Sequence, residues 1–269
     1  MAKYFVGLIL LVSVQAFAGP RLYVFDCGAI SLASMEKFGL ADNESDVREL
    51  FVPCYLIEHE KGLFLWDGGL PKGIADAGTA VAIEGGSLRY EQWIADQLAS
   101  MKLSPSDITF AAYSHLHFDH AGAANTFKQS NVIMQQKEWD AAFGEGGEFV
   151  DTTLFDGLKD AKLTFIDGDY DVFGDGSVRL IFAPGHTAGH QVLLVSLESS
   201  GKILLSGDLY HTRANRELRR VPIFNDDASQ TLASMEKIEQ LLKDSGATLW
   251  IEHDKAFADT LRKAPEFYD

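Results

Sequence analysis

The sequence predicts an α/β fold, and three observations predict it. Short apolar segments run repeatedly into turns that carry histidine or aspartate: ITFAA into YSHLHFDH, VRLIFA into PGH, ILLSGD, and LWI into EHD. One long segment, Ala228–Lys243, places Leu232, Met235, Ile238, Leu241 and Leu242 on a single helical face. Strands followed by a helix occur twice, and residues suited to binding metal come from both halves. Polar groups gathered at strand ends are what an α/β sheet offers to a ligand. A chain of 269 residues, 46% of them hydrophobic, suits one domain with two sheets and a large core. No repeat of solenoid period and no linker divides it.

Taken in order, the chain opens with Lys3, the apolar run Phe5–Val14 and the small-x-small triplet Ala16-Phe17-Ala18. Residues 1–18 therefore read as a signal peptide cleaved before Gly19, with residues 19–269 as the single mature domain. The expected location is exported, periplasmic or secreted, without stable membrane insertion, since the run is short for a span. Arg21–Cys27 reads as a strand, followed by an irregular segment, Gly28–Glu49, whose Ile30, Leu32, Met35, Phe38 and Leu40 are odd for a linker. Either it folds over a site as an apolar wall or it forms a short surface helix. Phe51–Glu58 and Leu63–Trp66 form a hairpin turned at His59–Gly62, where His59 reads as solvated. Ala75–Ser87 reads as a Gly/Ala-rich loop, and Glu91–Met101 has helical spacing. Asp107–Tyr113 and Asn131–Gln135 read as strands, and Lys137–Phe143 as a short helix. Residues 144–156 read as a flexible loop whose Phe149 and Phe155 would line a pocket. Strands follow at Leu163–Ile166, Ser177–Ala183, Gln191–Leu197, Lys202–Ser206 and Thr248–Ile251, with a closing helix at Ala256–Lys263. Cys27 and Cys54 lie in strand-like segments; a disulfide and two buried thiols both remain open.

The chemistry concentrates in Tyr113–Asn125, YSHLHFDHAGAAN. His115 and His117, two apart at a strand end, share one direction. Asp119 and His120 then swing to a neighbouring point as a helix begins. Two such pairs suit two metals a few ångströms apart better than one. Downstream, His186, Asp208 and His253 each follow an apolar strand at a turn. Imidazoles and carboxylates together suit zinc, with iron, manganese and cobalt also open.

These residues resemble the HxHxDH signature and downstream ligands of the metallo-β-lactamase superfamily, over nearly all of the chain from Arg21 onward. The resemblance implies a four-layer αβ/βα sandwich with a dinuclear metal site at one edge. It implies two divalent metal ions, one held by His115, His117 and His186, the other by Asp119, His120 and His253, with Asp208 bridging them. It also implies that Asp67 supports the ligands from behind. The stretches VPCYLIEHEKGLFLWDGGLP, SHLHFDHAG, APGHTAGHQ and GDLYHT are most similar to the N-acyl homoserine lactonase group. That implies opening of the lactone ring of acylated signals by a metal-bridging hydroxide, with Asp119, Asp208 and His211 as catalytic residues. One departure stands out. Members of the group often carry tyrosine three residues after the bridging aspartate, and here that position is His211, beside Tyr210. His190, four residues after His186, is expected to buttress its loop.

The formal charge of −16 disfavours nucleic acid and anionic membrane surfaces as partners. The basic cluster Arg213–Arg220 reads as a salt-bridged, solvated loop. A small amphiphilic substrate, an acyl lactone, suits the acidic chain, and its acyl chain is expected on Gly28–Glu49 and the Phe143–Phe155 region. Exposed apolar loops would serve equally as a homodimer contact. The alternatives are another lactone or aryl-ester hydrolase, a phosphodiester hydrolase on the same site, or an exported binding protein without turnover.

Overall fold

The computed structural model describes residues 19–144 and 151–269. The segment read as a signal peptide and Phe149 lie outside the described residues. Strands form at β1 (Arg21–Leu32), β2 (Glu49–His59), β3 (Gly62–Trp66), β4 (Val81–Ile83), β5 (Gly86–Arg89), β6 (Ile108–Ala112) and β7 (Asn131–Gln135). They continue with β8 (Lys162–Ile166), β9 (Tyr170–Asp171), β10 (Val178–Phe182), β11 (Gln191–Leu197), β12 (Gly201–Leu205), β13 (Thr248–Trp250) and β14 (Phe267–Tyr268). The helices are α1 (Lys72–Asp76), α2 (Ile94–Ser100), α3 (Phe118–Ala121), α4 (Gln136–Phe143), α5 (Arg213–Leu218), α6 (Ala228–Ser245) and α7 (Lys255–Ala258).

Among the described residues the strands make two sheets. The first runs β4-β5-β1-β2-β3-β6-β7-β8, with β14 also on β1; the second runs β13-β12-β11-β10-β9. In the first sheet β3, β6, β7 and β8 are parallel neighbours, and in the second β12 and β13 are. Alternation along the strands sorts the core into three layers. Tyr23, Phe25, Val52, Leu56, Leu65 and Ala111 face outward onto Ile94 and Leu98 of α2. Leu22, Val24, Tyr55, Ile57, Phe64 and Trp66 face inward onto Val178, Leu180, Leu193 and Val195 of the second sheet. The other side of that sheet, through Ile181, Val192, Leu194 and Leu204, packs on Met235, Ile238 and Leu242 of α6. Helices, sheet, sheet, helix: this is the four-layer sandwich expected from the sequence. Each fully buried aliphatic or aromatic side chain contributes about 1.5–3 kcal/mol. A strand covered on both faces, such as β2, reads as an unbroken apolar run for the same reason.

Several local expectations are corrected. β1 continues through Leu32, because its far half pairs with β5 as well as β2. The irregular segment is thus shorter, residues 33–48. Ala75–Ser87 holds β4 and the start of β5, which pair with each other, β5 also pairing with β1; a Gly/Ala-rich stretch without alternation gave no local sign of it. The closing helix is the single turn α7, after which the chain returns to the first sheet as β14. Arg213–Leu218 is a helix rather than a loop, capped by the Thr212 side chain. Its ion pairs are as expected: Arg213 with Asp254, Arg216 with Glu239, Arg219 with Glu236, and Arg220 with Glu44. His59 is buried rather than solvated. The loop before β10 covers it, with Phe173 stacked on the ring at 4.0 Å and Asp175 2.9 Å from Nε2. Phe155 is fully buried against Phe143 in the outer core. Cys27 and Cys54, partners-in-diagonal on β1 and β2, form a disulfide. No helix among the described residues is long and apolar enough to cross a membrane.

Candidate metal centre

β6 ends at Ala112, and the chain bends at Ser114 and is extended at His117 (φ −67°, ψ 158°) before α3 begins. Leu116, between His115 and His117, is buried in the outer core. The turn of α3, closed by the His120 N–H donating to the His117 carbonyl, re-aims Asp119 and His120. His186 comes from the loop after β10, Asp208 from the end of β12, and His253 from the end of β13. All seven predicted ligands meet. His115, His117, His186 and Asp208 offer atoms within 4.8 Å of one another, and so do Asp119, His120 and His253.

Asp208 stands between the two groups. Its Oδ2 lies 3.2 Å from His186 Nε2, 3.6 Å from His115 Nε2 and 2.9 Å from His211 Nε2. Its Oδ1 lies 2.9 Å from His253 Nε2 and 3.1 Å from His120 Nε2. The carboxylate is placed by main chain: the Asp208 N–H donates to His190 Nε2 at 3.0 Å, while His190 Nδ1 bonds the Ala183 carbonyl at 2.9 Å. His190 is therefore the expected buttress. Gly207 before it has φ +47°, and a Cβ there would meet His190 Nε2 at 2.7 Å and Ser114 Cβ at 2.8 Å.

Ring orientation is set from behind. His253 Nδ1 donates to the Phe51 carbonyl (2.6 Å), and His120 Nδ1 donates to Asp67 Oδ2 (2.8 Å). Both Nε2 lone pairs then face each other at 3.3 Å. Asp67 has the supporting role expected for it. It also accepts from the Ser114 N–H at 2.6 Å and from the Ser114 hydroxyl at 3.0 Å. These bonds hold Asp67 at φ +60°, a left-handed backbone that is strained by about 1 kcal/mol or more for a non-glycine residue.

The donor set fits divalent cations. Two imidazole lone pairs cannot satisfy one another across 3.3 Å, buried His115 Nε2 has no hydrogen-bond partner, and Asp208 Oδ1 accepts no aligned hydrogen bond. Burial, then neighbouring imidazoles, holds His115 and His117 well below the usual histidine range. Burial also acts against protonation of His120 and His253, yet Asp208 and Asp119 outweigh it. His120 is held well above its ordinary value, and His253 at about 9. The carboxylates thus call for positive charge at this point, which a divalent cation satisfies with the imidazoles neutral.

Two residues with no local signal complete the site. Glu138 of α4 is buried and accepts from the Leu116 N–H (2.8 Å), the Thr187 hydroxyl (2.7 Å) and the Gly189 N–H (2.9 Å). It ties the His115–His117 loop to the His186 loop. Only glycine fits at 189, where a Cβ would lie 2.4 Å from Glu138. Glu252 is buried beside Asp67, and burial, reinforced by Asp67, lifts its carboxyl to about 8.

Above the polar centre lies an aromatic rim. Phe38 packs edge-on against His211 (5.0 Å) and Phe224 (5.3 Å), and Phe224 faces His186 at 6.0 Å. The irregular segment after β1 thus supplies the apolar wall expected of it. Phe224 belongs to a loop that carried no signal in the sequence. His211, predicted as catalytic, is buried with Nε2 on Asp208 and its ring stacked on His253.

The family model of the metallo-beta-lactamase superfamily matches residues 47–244. The chain belongs to the metallo-β-lactamase superfamily. Within that superfamily it is 32% identical, over 92% of its own length and 98% of the relative's, to the N-acyl homoserine lactonase AttM of Agrobacterium fabrum. It is 32% identical, over 80% of this chain and 85% of the relative, to the N-acyl homoserine lactonase AiiA of Bacillus thuringiensis subsp. kurstaki. Among solved structures, this superfamily member matches an N-acyl homoserine lactone hydrolase with the product N-hexanoyl-L-homoserine bound at its catalytic metal centre. The TM-score is 0.77, with 28% identity, over 92% of this chain and 98% of that one.

Proposed function

We propose that this protein is a metal-dependent hydrolase that opens the lactone ring of N-acyl homoserine lactones, degrading quorum-sensing signals. The observation that carries this reading is the relative with N-hexanoyl-L-homoserine at its metal centre, which shares the fold over nearly the whole chain. His115, His117 and His186 would hold one cation and Asp119, His120 and His253 a second, with Asp208 shared; zinc is the proposed occupant. Bound there, the cations supply Lewis acidity to the lactone carbonyl and bring water towards ionisation at neutral pH.

The reaction adds one water across the acyl–oxygen bond of the ring. The carbonyl carbon gains a hydroxyl, the ring oxygen leaves as an alcohol, and the product is an N-acyl homoserine carboxylate. Asp208 takes the proton that the water gives up, with Asp119 bordering the same space. His211, 2.9 Å from Asp208 Oδ2, receives that proton from Asp208 and hands it on to the departing ring oxygen. Tyrosine, which often fills this position, contacts the substrate carbonyl, and the histidine can donate a hydrogen bond to that same oxygen. The acyl chain lies against Phe38, Phe224 and the exposed Phe118 and Ile223.

We also propose that residues 1–18 direct export and are removed. The basic start, apolar run and Ala-Phe-Ala triplet support this, as does the Cys27–Cys54 disulfide, which suits an oxidising compartment. N-terminal sequencing of protein from the extracellular or periplasmic fraction, beginning at Gly19, is the expected result.

The deciding experiment incubates protein of measured metal content with N-hexanoyl and N-decanoyl homoserine lactones and follows acid release and the mass gain of one water. Turnover by the native chain is expected, with a loss of about 10²–10⁴-fold in Asp208→Asn. His211→Phe should lose kcat while keeping its metal. Intact lactone after prolonged incubation with fully loaded protein would exclude the substrate.

A further inference from the structure

Glu252 precedes His253 in the chain, and its carboxyl is engaged by main-chain and indole donors. Its Oε1 accepts from Trp66 Nε1 at 3.1 Å and from the Gly207 N–H at 2.9 Å. Its own N–H donates to the Ser206 hydroxyl at 3.2 Å. The residue is 1% exposed, and its Oε2 has no hydrogen-bond partner. A carboxylate oxygen of Glu252 lies within 4.8 Å of donors on Asp67 and His120.

Each contact leads to a neighbour of the site. Trp66 adjoins Asp67, which orients His120. Gly207 adjoins Asp208, and Glu252 itself adjoins His253. One oxygen atom thus fastens the ends of β3, β12 and β13 at a single point behind the centre. Asp208 Oδ1, His120 Nε2 and His253 Nε2 converge in front of it, at 2.9–3.3 Å from one another. Two N–H donors meeting at one acceptor is a geometric requirement rather than an electrostatic one.

We propose that Glu252 is a positioning residue for the Asp119–His120–His253 half of the centre, and that what it supplies is a doubly accepting oxygen, not a charge. Glutamine meets that requirement. Its Oε1 accepts both N–H groups, and its amide takes the place of Oε2 beside the acceptor Asp67. Alanine does not, because it leaves the Trp66 and Gly207 N–H groups buried and unpaired. Groups behind metal ligands typically alter metal affinity about 10- to 100-fold when removed.

The test compares native protein, Glu252→Gln and Glu252→Ala, each loaded with cobalt(II) and challenged with a graded chelator. Ions per chain and the visible d–d absorption are followed, with unfolding of the stripped proteins measured in parallel. This rests on the centre binding metal and not on the identity of the substrate, so lactone hydrolysis is not its readout. Glu252→Gln should hold two ions as the native chain does. Glu252→Ala should release one of the two at about 10- to 100-fold lower chelator, a difference that persists where stability is matched by temperature. An alanine variant that keeps both ions like the native chain overturns the proposal. So does a glutamine variant that loses an ion. Should the alanine variant fail to fold, the glutamine variant decides alone.

Discussion

The two halves of the centre are built from the same residue types and are held in opposite ways. His115 and His117 are imidazoles that burial keeps neutral, and Glu138, from a helix on the outer face, ties their loop to the one that carries His186. Glu138 touches backbone and a hydroxyl, never a ligand ring. In the other half, Asp119 sits among the ligands, and Asp67 bonds the His120 ring directly. The carboxylates there draw His120 and His253 towards protonation. One half is tied through its loops and lined by neutral rings, whereas carboxylates reach the ligand rings of the other. The two should respond differently to the same perturbation.

The largest expected difference comes from the disulfide, which lies behind the second half. A Cβ on Gly69 would meet Cys27 Cβ at 2.3 Å, and the Gly68 N–H of the same turn donates to the His120 carbonyl. A Cys27→Ala/Cys54→Ala variant opens a crosslink with a sequence separation of 27. It should lose about 3.5 kcal/mol in denaturant unfolding of the metal-free protein. Its chelator sensitivity should rise for the second half and stay unchanged for the first.

A smaller separation comes from pH. His253 titrates at about 9 without a cation, so below that pH a metal must displace its proton. His120, held well above its ordinary value, adds a second proton to displace, so the affinity of the second half should rise by about tenfold per pH unit or more between pH 7 and 9. His115 and His117, held well below the usual range, are already neutral there and release no proton to a metal, so the first half should have the shallower slope. Two-site metal titrations at several pH values measure both. Equal slopes for the two halves would break the comparison.

Smallest in range, Glu138→Ala should weaken the first half about 10- to 100-fold and spare the second. It also leaves the Leu116 and Gly189 N–H groups buried without an acceptor, at about 1–3 kcal/mol each, a loss that thermal or denaturant unfolding would register.

What could be read from the chain depended on how local the cause was. His115, His117, Asp119 and His120 were legible because a strand end and one helical turn suffice to aim them. His186, Asp208 and His253 were legible as polar residues at the ends of apolar strands. The helix at Ala228–Ser245 follows from its own apolar face. Glu138 and Glu252 were not legible, since each works by receiving N–H groups from loops far away in sequence. His59 misled for the same reason: Phe173 and Asp175, which bury it, arrive from beyond the first sheet. The strand at Gly86–Arg89 forms on the edge that β1 offers, and Val81–Ile83 in turn pairs with it; nothing in their composition announces either.

The centre straddles a seam. His115, His117, Asp119 and His120 follow β6 of the first sheet, whereas His186, Asp208 and His253 follow β10, β12 and β13 of the second. Neither sheet alone carries a complete set for either half. A cation held by either set would therefore span both sheets. Bound there it would act as a rivet between them, favouring the docked state by RT ln(1 + [L]/Kd). Metal binding and the docking of the two sheets would then be one linked equilibrium, in which stripping the metal loosens the seam.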